Sequence, residues 1–518
     1  MAGVLLIGAL AETAGRCGWP DPQVLPPLST VLIQAARLAA DREFVAAATA
    51  TLGMWGAGLL TGTLAAVSAS ILLTAAPHLE VITRPLLELL RAVPIVALIP
   101  LALLVLGGST QMSVAAIAYA AGWPVFVHAL HGLHAADLLA RQTLQTYGFG
   151  PVAVAWRVAL PSALPWIATG VRIAAAIGLA VAVSAELLAG GGPGIGTWLI
   201  GMSGSTDQTS MMLAAAIWVG TVSLLCDATL TRATHRLLPW HRQVAGGTGA
   251  FTPRRSPITD QIARVLLLAG LVAVWEILTR TAGEGYFPPP SQICARMRDL
   301  WFSGPPTHAW LSAEAVANVT PSLFRLLAAW LLAALAGTAI GLALGRITVL
   351  ARCLEPTIHL LRAIPPPLLV PVWLALIPLG TPTMMAAIIF GVLWPVALAA
   401  ADGARSINLV QHDTARVFQL PAHQRLLSLI IPAALPKICA GLRMSLSLAL
   451  ILMVVAELLG GATTGIGVTL LLAQRTYDLP AMWGCTIALG AIGIALNAVM
   501  HAVQHRALAR HGPITGAA

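Results

Sequence analysis

Lysine is almost absent from this chain: Lys437 is the only one in 518 residues, and it follows Leu-Pro rather than a glycine-rich loop. Without a Gly-x-x-x-x-Gly-Lys-Ser/Thr phosphate cradle, the chain cannot itself be a P-loop ATPase. A Gly-x-Ser-x-Gly elbow and a His-Glu-x-x-His pair are missing too, which leaves an enzyme reading no nucleophile and no metal site. The six cysteines (17, 226, 294, 353, 439 and 485) form no Cys-x-x-Cys and have no nearby His at ligand spacing. Neither a zinc site nor a disulfide framework is indicated. Charge is scarce as well, at 9% of residues against 58% hydrophobic, whereas soluble proteins are about a quarter charged. Strands of alternating polarity, as in an outer-membrane barrel, do not occur. The lipid bilayer is the expected solvent.

What is present is helical and repeated. Apolar runs near the ~20 residues needed to cross a hydrocarbon core recur at 262–278, 328–344, 384–401, 442–459 and 482–503. The 47 Gly and 35 Pro are tolerable in a membrane bundle, where neighbouring helices satisfy freed backbone groups. Arg91-Ala-Val-Pro94 returns 271 residues later as Arg362-Ala-Ile-Pro365, and Trp123-Pro124 returns as Trp394-Pro395. Leu160-Pro-Ser-Ala-Leu-Pro165 returns as Ile431-Pro-Ala-Ala-Leu-Pro436 in the same register. Ala185-Glu-Leu-Leu188 with Gly194-Ile-Gly196 returns as Ala456-Glu-Leu-Leu459 with Gly465-Ile-Gly467. An ungapped duplication explains this register.

The expected fold is an all-α polytopic membrane protein of two homologous five-to-six-helix bundles in parallel tandem repeat, with 11–12 transmembrane helices. Repeat 1 spans 1–240, a cytoplasmic linker 241–258, repeat 2 259–510 and a tail 511–518. In repeat 2 the pattern predicts helices at 262–281, 319–346, 356–379, 382–402, 434–460 and 479–505; the last five map back onto 48–75, 85–108, 111–131, 163–189 and 208–234. The first helix of repeat 1 looks clipped, because Ala2–Leu10 is too short to span. No Lys or Arg precedes it, so it does not read as a signal peptide.

Charge placement gives orientation. The connector carries Arg232, Arg236, Arg242, Arg254, Arg255 and Arg264 against Asp260, and the tail carries Arg506 and Arg510. Both are expected on the cytoplasmic side. Segments 190–207 and 460–478 hold only Arg475, opposed by Asp207 and Asp478, and suit the outer side. The net charge of +9 thus reflects topology, and without a basic stripe with interleaved aromatics nucleic acid is not an expected partner.

Between the fourth and fifth helices of each repeat lies a polar, patterned loop, at 137–160 and 408–431. Gly148 can stop one short helix in a left-handed conformation, Pro151 can start a second, and Pro161 is expected to end it. Pro421 and Pro432 repeat the plan. Two short helices joined by a tight turn make a projecting knob.

These loops carry a resemblance. Gln142-Thr-Leu-Gln-Thr-Tyr-Gly148 leading to Leu160-Pro161, and Asp413-Thr-Ala-Arg-Val-Phe-Gln419 leading to Ile431-Pro432, partly match the Glu-Ala-Ala-x-x-x-Gly…Leu-Pro pattern of ABC-importer permeases. The following Leu-Pro-x-Ala-Leu-Pro, Ala-Glu-Leu-Leu and Gly-Ile-Gly, with Phe287-Pro-Pro-Pro-Ser-Gln, resemble the nitrate/sulfonate/taurine branch. The likeness covers nearly all of both halves. It departs at the acid (Gln142, Asp413), at the first Ala (Thr143, Thr414, the second remaining as Ala415) and at the Gly, which is Gln419 in the second copy. Family members are usually one bundle that dimerises, so this chain looks like that dimer fused, with knobs free to suit different ATPase subunits.

The resemblance implies a permease subunit, not an enzyme, of an ATP-driven, binding-protein-dependent importer in the bacterial inner membrane. Its solute would be a sulfonate, taurine or nitrate. Its partners would be two cytoplasmic ABC ATPases, which would hold the ATP and Mg, and an extracytoplasmic solute-binding protein; no cofactor is expected in this chain. Another branch, for phosphonates, quaternary amines or a vitamin precursor, is a near alternative. An ion-coupled secondary transporter, which would not need paired knobs, and a membrane scaffold are more distant ones.

Four intramembrane charges are candidate pathway or gate residues. Glu186 and Glu457 occur in both copies near the outer end of the fifth helix, where the helix dipole disfavours an acid, so each should have a donor. They either anchor the following Gly-rich turn or line the outer gate. Arg91 and Arg362 lie inside the third helix before Pro94 and Pro365. They either snorkel to the cytoplasmic headgroups or are aimed at the cavity by the loosened turn. Arg172 and Arg443, at the inner start of the fifth helix, are expected to bridge knob and bundle or to snorkel.

Overall fold

The computed structural model describes residues 2–17, 26–190, 192–202, 208–240, 258–282, 285–306, 310–377, 379–407 and 409–509. The linker, the tail, Asp207 and Asn408 lie outside them. Repeat 1 runs α1 (Ala2–Arg16), α2 (Leu28–Leu38), α3 (Arg42–Ala75), α4 (Pro77–Ala92), α5 (Ile95–Leu106), α6 (Thr110–His134), α7 (Leu138–Thr146), α8 (Pro151–Val154), α9 (Leu160–Ala189), α10 (Ile195–Gly201) and α11 (Gln208–Leu237). Repeat 2 runs α12 (Ile258–Ala282), α13 (Pro290–Trp301), α14 (Ala313–Arg346), α15 (Thr348–Ala363), α16 (Val370–Leu376), α17 (Thr381–Arg405), α18 (Leu409–Val417), α19 (Ala422–Arg425), α20 (Ile431–Leu459), α21 (Ile466–Arg475) and α22 (Leu479–Ala509). The bounds of α3, α4, α6, α7 and α8 recur 271 residues later without a slip, down to the π-helical turns Ala155–Ala159 and Leu426–Ile430.

Among the described residues nine helices are long and apolar enough to cross a membrane, or eleven when each of two bent pairs counts as one span. The long second helix of each repeat starts on a side-chain cap: Asp41 accepts from the Glu43 amide, and Ser312 accepts from the Ala315 amide. Each then packs against the fourth and fifth helices through small residues. A Cβ on Gly341 would lie 2.2 Å from the Ala397 carbonyl oxygen, a closeness that only glycine permits.

Two expectations are corrected. The third helix is not one rod at 85–108 or 356–379. α4 and α5 meet at 85°, and α15 and the helix after Pro365 at 87°. Val93 and Pro94 are extended, as are Ile364 and Pro365, because a proline clashes with a helical residue before it and offers no N–H to the turn. Arg91 and Arg362 therefore end separate amphipathic helices. Nor does Pro161 or Pro432 stop a short helix. At Leu160 and Ile431 the backbone N–H bonds five residues back, to Ala155 and Leu426, so a π turn absorbs the proline and the helix continues to its far end.

Similarity also extends into the first helices, with a shifted register. Glu12 pairs with Arg16 and accepts bonds from the Ser29 amide and hydroxyl at 2.8 and 2.9 Å. Glu276 does the same with Arg280 and Ser291, at 2.9 and 2.6 Å. So α1 corresponds to the later part of α12, and each tethers the short helix that follows.

The halves interlock reciprocally. α12 leans on α4, where Arg264 Nε donates to the Val81 carbonyl at 3.0 Å, and α1 leans on α15. α22 packs against the α4–α5 break, with Val93 against Gly490, while α11 packs against the α15 break, with Ile364 against Gly220. The seam core is apolar, including Val96, Ala97, Ile99, Leu450, Met453 and Leu489. These contacts also fix sidedness. The start of α4 is held to the end of α6 by Glu80 and His134 at 3.1 Å, next to the first knob. α12 begins there and runs to the opposite end, where Trp275 meets Trp483 edge to face at the start of α22. α22 then returns past Arg443, in the half of α20 that leads from the second knob. Both knobs lie at one end of the molecule.

Candidate functional site

Three constellations recur in both halves, and the first is the knob pair. Asp137 caps α7 by accepting from the Leu139 amide at 2.8 Å. The helix closes with Tyr147 N to Thr143 O and Phe149 N to Leu144 O, both 3.1 Å, a turn that needs a left-handed residue at 148. Gly148 has φ +78°. In the second knob Phe418 N to Thr414 O and Leu420 N to Ala415 O repeat the turn, and Gln419 takes the left-handed conformation at φ +49°. The missing glycine therefore changes the cost of the turn and not its shape. Gln142, Thr143, Asp413 and Thr414 are exposed, Ala415 is buried, and Leu160, Pro161 and Ile431 are half-buried at the root. Pro432 is half-buried there too. Large apolar side chains stand out in matched positions: Leu139, Tyr147 and Trp156 on one knob, Val410, Phe418 and Leu427 on the other, each at least 63% exposed.

At the opposite end lie the two carboxylates, each 2% exposed. Glu186 accepts from the Gly196 amide and the Thr51 hydroxyl at 2.8 Å each, and Thr51 in turn accepts from the Ile195 amide at 2.9 Å. Glu457 accepts from the Gly467 amide at 2.9 Å and the Ser322 hydroxyl at 2.7 Å, with Ser322 accepting from the Ile466 amide. The carboxylate thus ties together the second helix, the fifth helix and the Gly-rich turn that follows it. Glycine is required at that turn, because a Cβ on Gly194 would sit 2.3 Å from the Glu186 carboxyl carbon, and one on Gly465 2.4 Å from that of Glu457.

The halves then diverge. Arg325, 4% exposed, reaches Glu457 at 2.8 Å and also donates to the Thr464 carbonyl at 2.6 Å and the Thr381 hydroxyl at 3.2 Å. Asn318 accepts from the Gly465 amide at 3.1 Å. The matching positions in repeat 1 are Met54 and Ala47, so Glu186 has no such cation. Beside that turn a cleft of about 400 Å³ opens among Glu43, Ala47, Pro193, Gly194, Thr197 and Trp198. The sequence reading missed Thr51, Ser322, Asn318 and Arg325. The signal for the first two was a hydroxyl in both copies 271 residues apart; for Arg325 it was a lone charge inside an apolar helix.

Arg91 and Arg362 are both exposed, each at the last turn before its break and close to the seam. Arg172 and Arg443 do not reach the knobs. Arg172 pairs with Asp227 on α11 through two bonds of 3.0 Å, and Arg443 Nε donates to Asn497 on α22 at 2.9 Å, so each joins the fifth helix to the sixth. Among the described residues no cluster of three metal-ligating side chains occurs.

Comparison with known proteins agrees with this duplicated plan. The family of the binding-protein-dependent transport system inner membrane component matches twice, over residues 58–238 and 331–510. The chain is 28% identical over 240 residues to the nitrate import permease protein NrtB of Leptolyngbya laminosa, which covers 46% of this chain and 84% of the relative. It is 27% identical over 263 residues to the taurine transport system permease protein TauC of Escherichia coli, covering 50% and 94%. It is also 25% identical over 246 residues to the aliphatic sulfonates transport permease protein SsuC of Bacillus subtilis, described as putative, covering 47% and 86%. Each of these single-unit relatives accounts for about half of this chain. With two matched regions, nine or more apolar spans and the same bundle built twice, the chain belongs to the family of binding-protein-dependent transport inner membrane components and carries two of its permease units fused in tandem.

Proposed function

We propose that this chain is the complete transmembrane pathway of an ATP-driven importer for a small anion. The observation that carries the reading is the pair of knobs, alike in turn geometry and in exposed apolar positions, at one end of two homologous bundles. A compact knob with an apolar tip fits a groove on a separate motor, so two ATPase subunits dock on 137–160 and 408–431 and bring their own ATP and Mg. Gln142, Thr143, Gly148, Asp413, Thr414, Ala415 and Gln419 shape the two docking turns, while Leu160, Pro161, Ile431 and Pro432 root them in the fifth helices.

Clasping of the ATPases draws the knobs together and rocks the bundles about their seam, the general physics of alternating access. Each knob continues through its π turn into one unbroken helix that carries Glu186 or Glu457 in its last turn, so motion at one end reaches the outer turn. The glutamates act there as fixed tethers of an outer gate, and Arg91 and Arg362 flank the inner mouth. This orientation puts the knobs, connector and carboxyl terminus in the cytoplasm of a bacterial cell. The outer turns then face a solute-binding protein, and the arginine-rich connector supports this sidedness. Nitrate, taurine and sulfonates, named for the relatives, share a negatively charged oxyanion group that a basic inner mouth favours.

Proteoliposomes containing the chain, a cognate ABC ATPase and a matching solute receptor test the reading. Uptake of nitrate or taurine that needs both ATP and the receptor supports it. Uptake driven by an ion gradient without an ATPase contradicts it.

A further inference from the structure

The partners of Arg172 and Arg443, one at each seam, differ by one charge. At the first, Ala363 and Ile364 lie against Gly220 of α11, and one to two turns further along that helix Asp227 neutralises Arg172 through paired 3.0 Å bonds. At the second, the Ala92 carbonyl lies 3.1 Å from where a Cβ on Gly493 would be, and one turn further along α22 Asn497 holds Arg443. Asn497 orients the guanidinium as Asp227 does, but it brings no negative charge. Arg91, next to Ala92, feels first the carboxylate of Glu88 on its own helix and then the positive charges of Arg443 and Arg84. Glu88 and Arg84 are already paired at 3.1 Å. Among the described residues neither Arg91 nor Arg443 has a carboxylate within ion-pair distance. Guanidiniums from opposite halves thus face the same part of the seam, one exposed and one half-buried, and Arg91, Arg443 and Arg84 against the single carboxylate of Glu88 leave two positive charges over.

Like charges held together beside an apolar seam repel more strongly than in water, and an oxyanion between them relieves that repulsion. Guanidinium forks also match the geometry of a planar or tetrahedral oxyanion. We propose that Arg91 and Arg443 form one oxyanion-binding site at the knob end of the seam between α4, α20 and α22, and that the matching seam, neutralised by Asp227, does not. The transporter therefore carries a single, off-axis anion site at its inner mouth. Within the importer reading, on which its biological role rests, this site gives the anion a last point of contact before release.

The test is calorimetric titration of the full chain, in phosphatidylcholine nanodiscs, with sodium nitrate and with sodium methanesulfonate. One saturable site per chain is expected. Asn497→Asp, which supplies Arg443 with the partner that Arg172 has and so leaves the fold intact, should weaken binding about tenfold, as should Arg91→Gln. Asp227→Asn should raise the stoichiometry toward two. If the site takes a lipid headgroup instead, phosphatidylglycerol added to the discs abolishes nitrate binding, and native mass spectrometry finds one such lipid lost in Asn497→Asp. The proposal is overturned if neither probe binds saturably and no lipid is retained, or if binding ignores both substitutions. Because no ATPase is present, that failure leaves ATP-driven uptake untouched. Loss of ATP-driven uptake with anion binding intact would instead sink the importer reading alone.

Discussion

A carboxylate inside an apolar bundle persists only with donors around it, and here the two halves supply them differently. Glu457 sits against Arg325, whereas Glu186 relies on a hydroxyl and an amide. Glu457→Gln leaves a guanidinium buried without its counter-charge and should cost about 3–5 kcal/mol. Glu186→Gln keeps the hydrogen-bonding shape and should cost about 1 kcal/mol. Unfolding of the two variants in nanodiscs, ranked by midpoint, checks this: Glu457→Gln must fall further. Sequence made the glutamates legible because duplication repeats them in an apolar setting. Arg325 was less legible for the same reason, since a comparison of copies highlights what is shared, and Met54 stands in its place. Its lone charge became meaningful only once Thr464 and Glu457 were seen around it.

At the scale of elements the knob is the informative unit. Its closing turn demands a left-handed residue, which costs about 1–2 kcal/mol for any side chain other than glycine. Gly148→Gln should therefore loosen the first turn, and Gln419→Gly should tighten the second by up to about 1 kcal/mol after the flexibility that glycine adds to the unfolded chain. Amide exchange at 144–149 and 415–420 reads both changes, with opposite signs expected. Tyr147→Ala and Phe418→Ala remove the most exposed aromatic of each knob and should each weaken ATPase association about tenfold or more without changing the helical content. Association unchanged in both would remove the knobs from the docking surface. The turn at Gly148 and the start at Pro151 were readable from residue type alone. The role of Pro161 was not, because proline reads locally as a stop, and only a π turn one step earlier, set by tertiary packing of a long helix, lets the chain run through it. The same locality hid the breaks at Pro94 and Pro365: a continuous apolar run reads as one rod until its proline is seen to turn the chain by 85°.

For the whole molecule, the 271-residue register foretold an architecture of paired bundles, and the helix bounds reproduce it almost residue for residue. The way the halves meet was not foretold, because α1 and α12 follow a different offset and each leans on the amphipathic first part of the third helix of the opposite half. That reciprocal lean lets each half of the one chain cover a surface of the other. A second copy is not needed to complete the seam. Cutting the connector at residues 241–257 should leave the two fragments copurifying, held by α12 on α4 and α1 on α15, and separation of the fragments in mild detergent would contradict the interlock.

The most direct measurement of the central claim is the mass of the intact assembly released from nanodiscs with its ATPase bound. One copy of this 518-residue chain with two ATPase subunits is the predicted composition. Two copies of the chain per assembly, or a chain that retains no ATPase at all, would contradict it.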